Sequence, residues 1–409
     1  MNVEVVATPA ALAATCARID AAPRVGLDTE FHTEKSYTPH LMVVQILFED
    51  GVAIVDPLAL SDLRPLVETL GRARVVGHAL SSDLRILADA YATLPRAVYD
   101  TQVAAAFAGY GISISLLDLV RDVCGVTLRK SQTVSDWSVR PFSARQVEYL
   151  VDDVRYLFAL EDGLRERLRE RGRESWADEE MPALASLDAY RPDPTRLYLR
   201  VAGNARLNRR ELATLNELAI LRERTARERN VPLKYVLPDD VMLGLVALRP
   251  SSVEDLAQLR RIDAGTRRTL GERIVAAIAR GEAVPEDRLP PRAPKPLGAQ
   301  REALVSTMAV LVGALAAQHD LPAALLLPRA ALERIAREHP QTPEQLGDVV
   351  RLTSWRRTIV VAPLWELLAG ERVLCVAGYG EGNPRTVFVQ RGGGEGNDSL
   401  AQSEASPRL

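Results

Sequence analysis

Short apolar runs rich in β-branched residues open the chain. Residues 25–27, 41–48 and 52–55 read as strands, joined by gaps that suit antiparallel neighbours. Helical periodicity over 63–70 is followed by a strand at 74–77, a helix from 82 or 83 to 90, a strand at 97–99, and helices near 102–107 and 116–123. Strands first and helices afterwards predict an α/β domain on a mixed sheet with flanking helices. Ser143 suits an N-cap, and Val147, Leu150, Val151, Val154, Leu157, Phe158 and Leu164 recur at three- and four-residue spacing. That spacing predicts one long helix from 143 to about 171 with a buried stripe. Beyond it, 190–195 reads as a linker. Residues 209–280 and 298–370 are helical in pattern, with a similar order of apolar runs, as in a diverged all-α repeat. Five prolines within 284–296 predict a stiff connector, and the Gly-rich stretch from Gly392 onward cannot bury a core and is expected to be disordered.

Charge sharpens this division. Residues 1–200 carry a net −7, residues 201–300 a net +5 and residues 301–409 a net −1, so phosphate contacts are expected in the basic middle. An acidic first half suits a polyanion only if cations offset part of its charge. The end of the long helix, R-E-R-L-R-E-R-G-R at 165–173, reads as a solvated surface of mixed charge pairs. No run approaches the roughly 18 apolar residues of a membrane span, and no secretory signal opens the chain. Cys16, Cys124 and Cys375 are too scattered for a zinc site and read as buried small apolar residues in a reducing compartment.

Four carboxylates then stand out. In V-G-L-D-T-E-F, strand alternation places Asp28 and Glu30 on one face and Leu27, Thr29 and Phe31 on the other. Two like charges side by side on a strand destabilise it unless a cation sits between them, and a hard divalent ion held by carboxylate oxygens would do so. Asp83 opens a helix in S-S-D-L-R, where an N-cap or first-turn acid is the ordinary reading. Tyr149 and Asp153 lie one helical turn apart. At about 100° per residue the apolar stripe centres between Leu150 and Val154, which puts Asp153 roughly 85° from that centre and Asp152 about 175° away, facing solvent. Asp153 is therefore the candidate ligand of the Asp-Asp pair.

These residues, with D-T-E-F-H-T-E-K-S-Y-T-P and L-M-V-V-Q-I within 28–46, I-V-D-P-L at 54–58, D-T-Q-V-A-A-A-F at 100–107 and L-R-K-S-Q-T-V-S-D-W-S-V-R-P-F at 128–142, resemble the tyrosine-containing branch of the DEDD 3′–5′ exonucleases. L-N-R-R-E-L-A-T-L at 207–215 and R-N-V-P-L-K-Y-V-L-P-D-D at 229–240 resemble an HRDC domain, and S-W-R-R-T-I-V at 354–360 a weaker second one. The resemblance implies an RNase H-like nuclease core followed by two HRDC-type helical domains. It also implies two Mg²⁺ or Mn²⁺ ions held by Asp28, Glu30, Asp83 and Asp153, with Tyr149 orienting the attacking water. The implied activity releases nucleoside 5′-monophosphates from RNA 3′ ends, with tRNA precursors and small structured RNAs as substrates of a monomeric cytoplasmic enzyme. Around that centre, Phe31 is a candidate wedge for the terminal base, His32 and His78 for the 3′ end, Gln45 for the terminal sugar or a carboxylate, and Lys130 for a phosphate. Trp137 and Arg140 read as pinning a loop against the nuclease. Arg209, Arg210, Arg222 and Lys234 are candidate RNA contacts of the first HRDC unit.

The resulting division is a nuclease over 1–175, a connecting segment over 176–206, HRDC units over 207–283 and 297–370 flanking a linker at 284–296, an extension over 371–391 and a tail over 392–409. Two rival functions are an exonuclease acting on DNA 3′ ends and a non-catalytic RNA-binding protein on a nuclease scaffold.

Overall fold

The computed structural model describes residues 1–32, 35–128, 136–292, 296–352, 354–378, 380 and 385–391. The expected tail from Gly392 and the candidate Lys130 lie outside the described residues. Six strands form one sheet: β1 (Asn2–Val6), β2 (Val25–His32), β3 (His40–Phe48), β4 (Gly51–Val55), β5 (Arg74–Gly77) and β6 (Ala97–Asp100). The spatial order is β1-β4-β3-β2-β5-β6. β3 is antiparallel to both β2 and β4, as the short gaps imply, whereas β1–β4, β2–β5 and β5–β6 pair in parallel. β2, which carries the Asp-x-Glu pair, is thus interior, with β3 and β5 fixing it from both sides.

Helices cover both faces. α1 (Pro9–Ala21), α2 (Arg64–Leu70) and α3 (Ser81–Tyr91) pack their apolar sides over one face, where Leu27, Val44, Ile46, Leu66 and Leu84 join a continuous core. α4 (Thr101–Phe107), α5 (Leu116–Cys124), α6 (Ala144–Asp152), α7 (Leu157–Glu170), α8 (Glu174–Leu184) and α9 (Leu187–Tyr190) follow. A Cβ on Gly26 would stand 2.6 Å from the Leu47 Cβ and 3.2 Å from a Leu157 methyl, so only glycine lets the start of α7 approach β2 this closely. Glu161 is almost fully buried on α7 and binds Arg24, Arg74 and Arg165, which compensates its charge. The arginines near the end of α7 pair with local acids, Arg165 with Glu161 and Glu174 and Arg169 with Glu166, as a solvated mixed-charge surface should.

Three expectations change. The long helix is two helices: residues 153–156 wind as turns with i→i−3 bonds, Val154 N–H to Val151 O at 3.2 Å and Leu157 N–H to Val154 O at 3.0 Å. The buried stripe runs on across this break, because Val154, Leu157, Leu160 and Leu164 are all inaccessible, so periodicity could not reveal it. Tyr190, taken as linker, is buried in the nuclease core and donates its hydroxyl to Leu184 O at 3.0 Å. The three cysteines are free but only half-buried.

Next in the chain come α10 (Arg209–Arg229), α11 (Leu233–Val236), α12 (Asp239–Leu248) and α13 (Ala264–Glu282), built around Leu215, Leu218, Met242, Leu245 and Ile274. Asn208 and Glu211 form a reciprocal capping box at the start of α10. The first half of the proline-rich stretch is not a free spacer. Arg209 and Arg210 donate to backbone carbonyls between Glu282 and Pro290, and Leu289 is buried.

The last compact unit, considered by itself, contains α14 (Ala299–Gln318), α15 (Ala323–Leu326), α16 (Arg329–Glu338), α17 (Pro343–Val349) and α18 (Ser354–Leu368). Its helix order echoes α10–α12, and the caps of α16 echo those of α12. Pro238 and Pro328 are the N-caps of α12 and α16, and Arg249 and His339 end them in the left-handed conformation, with φ of 52° and 48°. A hairpin of β7 (Arg372–Ala377) and β8 (Arg385–Gln390) follows, where no strand was expected.

Candidate active site

Three chain segments bring the acids together. On β2, Asp28 and Glu30 point to one side and Thr29 is buried on the other, as alternation demands. A bulge in the pairing with β3 follows Glu30, so Phe31 and His32 leave the regular register at the strand's end.

The second segment is the start of α3. Asp100, itself buried at the end of β6, accepts from the N–H groups of Ala79 at 3.0 Å and Leu80 at 2.8 Å and caps α4 through Gln102 N–H at 2.8 Å. One carboxylate therefore fixes the turn that aims α3. Asp83 sits in the first turn of α3 without capping it, buried, and receives the Thr29 hydroxyl. The third segment begins with a capping box between Ser143 and Gln146. Tyr149 follows one turn later, and Asp153 caps the C-terminus of α6 by donating its N–H to Tyr149 O at 3.1 Å. Asp152 turns outward to Arg155 at 2.8 Å.

Carboxylate oxygens of Asp28, Glu30 and Asp153 all lie within 4.8 Å of one another. Asp83 stands outside this trio, held by Thr29, yet close enough to raise both strand acids. Burial, then the charges of Asp83, Asp153 and Glu30, push Asp28 well above the usual carboxylate range. Burial, then Asp153 and Asp83, push Glu30 up to about 7, against the Trp137 indole, which favours its ionised form. Asp153 rises to about 7 and Asp83 to about 6, each chiefly through burial, with the Tyr149 and Thr29 hydroxyls acting the other way. Burial and the three nearby carboxylates also raise the Tyr149 phenol.

Such a cluster is costly as four bare anions. One Asp153 carboxylate oxygen is buried with no hydrogen-bond partner among the described residues. Acceptor-only oxygens, convergent and under-satisfied, fit a hard divalent cation.

A supporting layer holds the site. Arg140 binds Asp56 through two contacts of 2.7 Å and donates to the carbonyls of Met42, Trp137 and Val139. Trp137 is buried, with its ring centroid 5.6 Å from that of Tyr149. The D-W-S-V-R loop is thus pinned at one end to the residue after β4 and at the other to the candidate water-orienting tyrosine. Arg140→Lys keeps the charge but loses the planar fork, and is expected to lower turnover roughly tenfold with the fold intact. Activity assays beside circular dichroism check this.

Several candidate contacts change role. Gln45 keeps one of its two expected roles: it is fully buried and donates its amide to a carboxylate, Asp28 Oδ2, at 3.4 Å. Both ring nitrogens of His78 are engaged, by Thr101 Oγ1 at 2.9 Å and Ile114 O at 3.1 Å, and burial holds its pKa below the ordinary histidine range. With both nitrogens engaged, it anchors the turn before α3. Arg222 is 5% exposed and binds Leu237 O at 3.2 Å and the Asp239 carboxylate, so its charge is spent inside the helical module. Arg209 and Arg210 are committed largely to carbonyls of their own module. Lys234 remains exposed, with its amine 5.6 Å from the centroid of the equally exposed Tyr235 ring. Phe31 and His32 stay half-buried at the end of β2. Asp56, Asp100 and Thr29 were not singled out, although an Asp closing an apolar run and followed by Pro or Thr is a usable signal for a cap or pin.

Comparison with known proteins identifies the family. Residues 3–169 match a family of 3′–5′ exonucleases and residues 211–278 the HRDC domain. Ribonuclease D of Granulibacter bethesdensis is 36% identical over 373 residues, covering 90% of this chain and 93% of that protein. Ribonuclease D of Pseudomonas paraeruginosa is 32% identical over 351 residues, covering 85% and 93%. The crystal structure of Escherichia coli RNase D, described as an exoribonuclease involved in structured RNA processing, superposes with a TM-score of 0.75 at 29% identity, covering 90% of this chain and 99% of that one. Exonucleases of this family depend on divalent metal ions. The chain belongs to the ribonuclease D family of 3′–5′ exoribonucleases.

Proposed function

We propose that Asp28, Glu30, Asp83 and Asp153 hold two Mg²⁺ or Mn²⁺ ions and that Tyr149 orients the attacking water. The convergence of three of these carboxylates, with Tyr149 lying against Asp153, carries this reading. Divalent cations held there would lower the pKa of a water and offset charge on the attacking and leaving oxygens of an in-line displacement. Tyr149, braced by Trp137, holds its hydroxyl beside Asp153 where a water can be aligned. The water oxygen adds to the terminal phosphorus, the bond to the preceding 3′ oxygen breaks, and that oxygen takes up a proton. The products are a nucleoside 5′-monophosphate and an RNA one residue shorter. Phe31 and His32, at the end of β2, flank the terminal nucleotide.

The substrates are tRNA precursors and other small structured RNAs, in keeping with the structured-RNA role described for the Escherichia coli relative. Exposed Lys234 and Tyr235 give the helical module over 207–283 a cation and a ring for RNA. We read 297–370 as a second HRDC-like unit because α14–α16 repeat the order of α10–α12, and α16 repeats the proline N-cap and left-handed end of α12. The nuclease expected over 1–175 then extends to Tyr190, which is buried in its core. No described helix is long and apolar enough to cross a membrane, and we place the enzyme in the cytoplasm as a monomer.

Matched RNA and DNA duplexes with 3′ overhangs test the substrate. RNA is expected to shorten from the 3′ end with release of 5′-monophosphates only when Mg²⁺ or Mn²⁺ is present. Faster digestion of DNA would replace this reading with a DNA exonuclease.

A further inference from the structure

The hairpin connection leaving β2 is tied to the helical module. Tyr37 packs against the module's core, its hydroxyl donates to Glu223, and it accepts from Arg227 Nη2 at 3.1 Å. The Arg227 guanidinium lies 5.2 Å from the centre of the Tyr37 ring. The next residue, Thr38, donates its N–H to Asn230 Oδ1 at 3.0 Å. Glu223 and Arg227 are one turn apart on α10, and Asn230 is its left-handed C-cap at φ 49°. Three residues at the end of one helix thus hold two consecutive residues of the connection, across 186 to 192 positions of sequence. A connection of this length is far from the two-residue turns that set a hairpin by themselves, so its conformation must come from elsewhere. It begins directly beyond Phe31 and His32, whose partners on β3 are Leu41 and His40.

The geometry points to Tyr37 as a positioning residue: the end of α10 clamps the β2–β3 connection and thereby sets the place of Phe31 and His32 for the RNA 3′ end. The helical module is then a structural part of the catalytic strand as well as a surface for RNA. The idea rests on the reading of the β2 acids as the nuclease site.

Tyr37→Phe removes the hydroxyl and keeps the buried ring, while Asn230→Gly keeps the left-handed cap and removes the acceptor. Each variant is followed by hydrogen–deuterium exchange over 35–39 and by steady-state kinetics on a short single-stranded RNA with Mg²⁺. Exchange should speed up, KM should rise roughly fivefold with kcat within about twofold, and Glu223→Gln, which keeps an acceptor for the phenol, should stay near wild type. Unchanged exchange, or faster exchange with unchanged KM, overturns the proposal. If Tyr37→Phe does not fold, Asn230→Gly carries both readouts. If the wild-type protein leaves the RNA intact, the nuclease reading fails and the exchange measurement alone decides the clamp.

Discussion

Asp153→Asn is expected to abolish metal-dependent 3′ trimming, a loss of at least about a thousandfold, while Asp152→Asn leaves turnover within roughly twofold of wild type. The two acids are adjacent, equally charged and differ in one respect, the direction in which the end of α6 turns them. Asp153 joins Asp28 and Glu30 in the trio of oxygens and keeps one oxygen without a partner among the described residues. Asp152 makes a partly exposed pair with Arg155, an interaction of less than about 1 kcal/mol. Asparagine retains the size of either side chain, so both variants should fold. Loss of trimming in Asp153→Asn alone, measured with thermal melts of both proteins, supports the assignment. If both variants stay active, or the sensitivities are exchanged, the ligand set is wrong.

That distinction was legible in the sequence because it depends only on local helix geometry. A wheel centred on the apolar stripe separates Asp152 from Asp153 even though the helix stops between them. β2 to β6 were legible for a similar reason, since β-branched runs mark buried strands whatever their partners. β1 and the β7–β8 hairpin were not singled out. Val3 and Val5 on β1 are substantially exposed, and the hairpin is at most half-buried, so neither shows a clean core pattern. Contacts between distant segments were the real blind spot. Arg140 finds Asp56 from 84 positions away, and Asp100 fixes the backbone of Ala79 and Leu80 from about 20. Neither pairing leaves a periodic trace. Arg222 shows the opposite error: a sequence displays its charge but not its burial, and the carboxylate that occupies it lies on the next long helix.

Removing divalent metal should reverse the pH dependence of stability in the nuclease part of the chain. Glu30, Asp83 and Asp153 have pKa values raised to about 7, 6 and 7 from ordinary values of 4.5, 3.8 and 3.8. Between about pH 4 and 7 the metal-free folded state therefore binds more protons than the unfolded chain, and stability falls as pH rises through that window. In EDTA the melting temperature should be highest near pH 5 and lower by roughly 5 °C at pH 8, where these acids face one another as anions. Mg²⁺ or Mn²⁺ competes with those protons, so its stabilising effect should be small at pH 5 and largest above pH 7. Asp153→Asn removes one anion from the cluster. The variant should be more stable than wild type in EDTA at pH 8, and should gain less from metal. This sign pattern is specific to a carboxylate cluster built for a cation. Acids paired with arginines, such as Asp56 with Arg140, have lowered values and lose stability as pH falls instead. Melting curves at pH 5 and 8, with and without metal, for wild type and Asp153→Asn decide the matter. A metal effect equal at both pH values would mean that the raised acids are not the ligands.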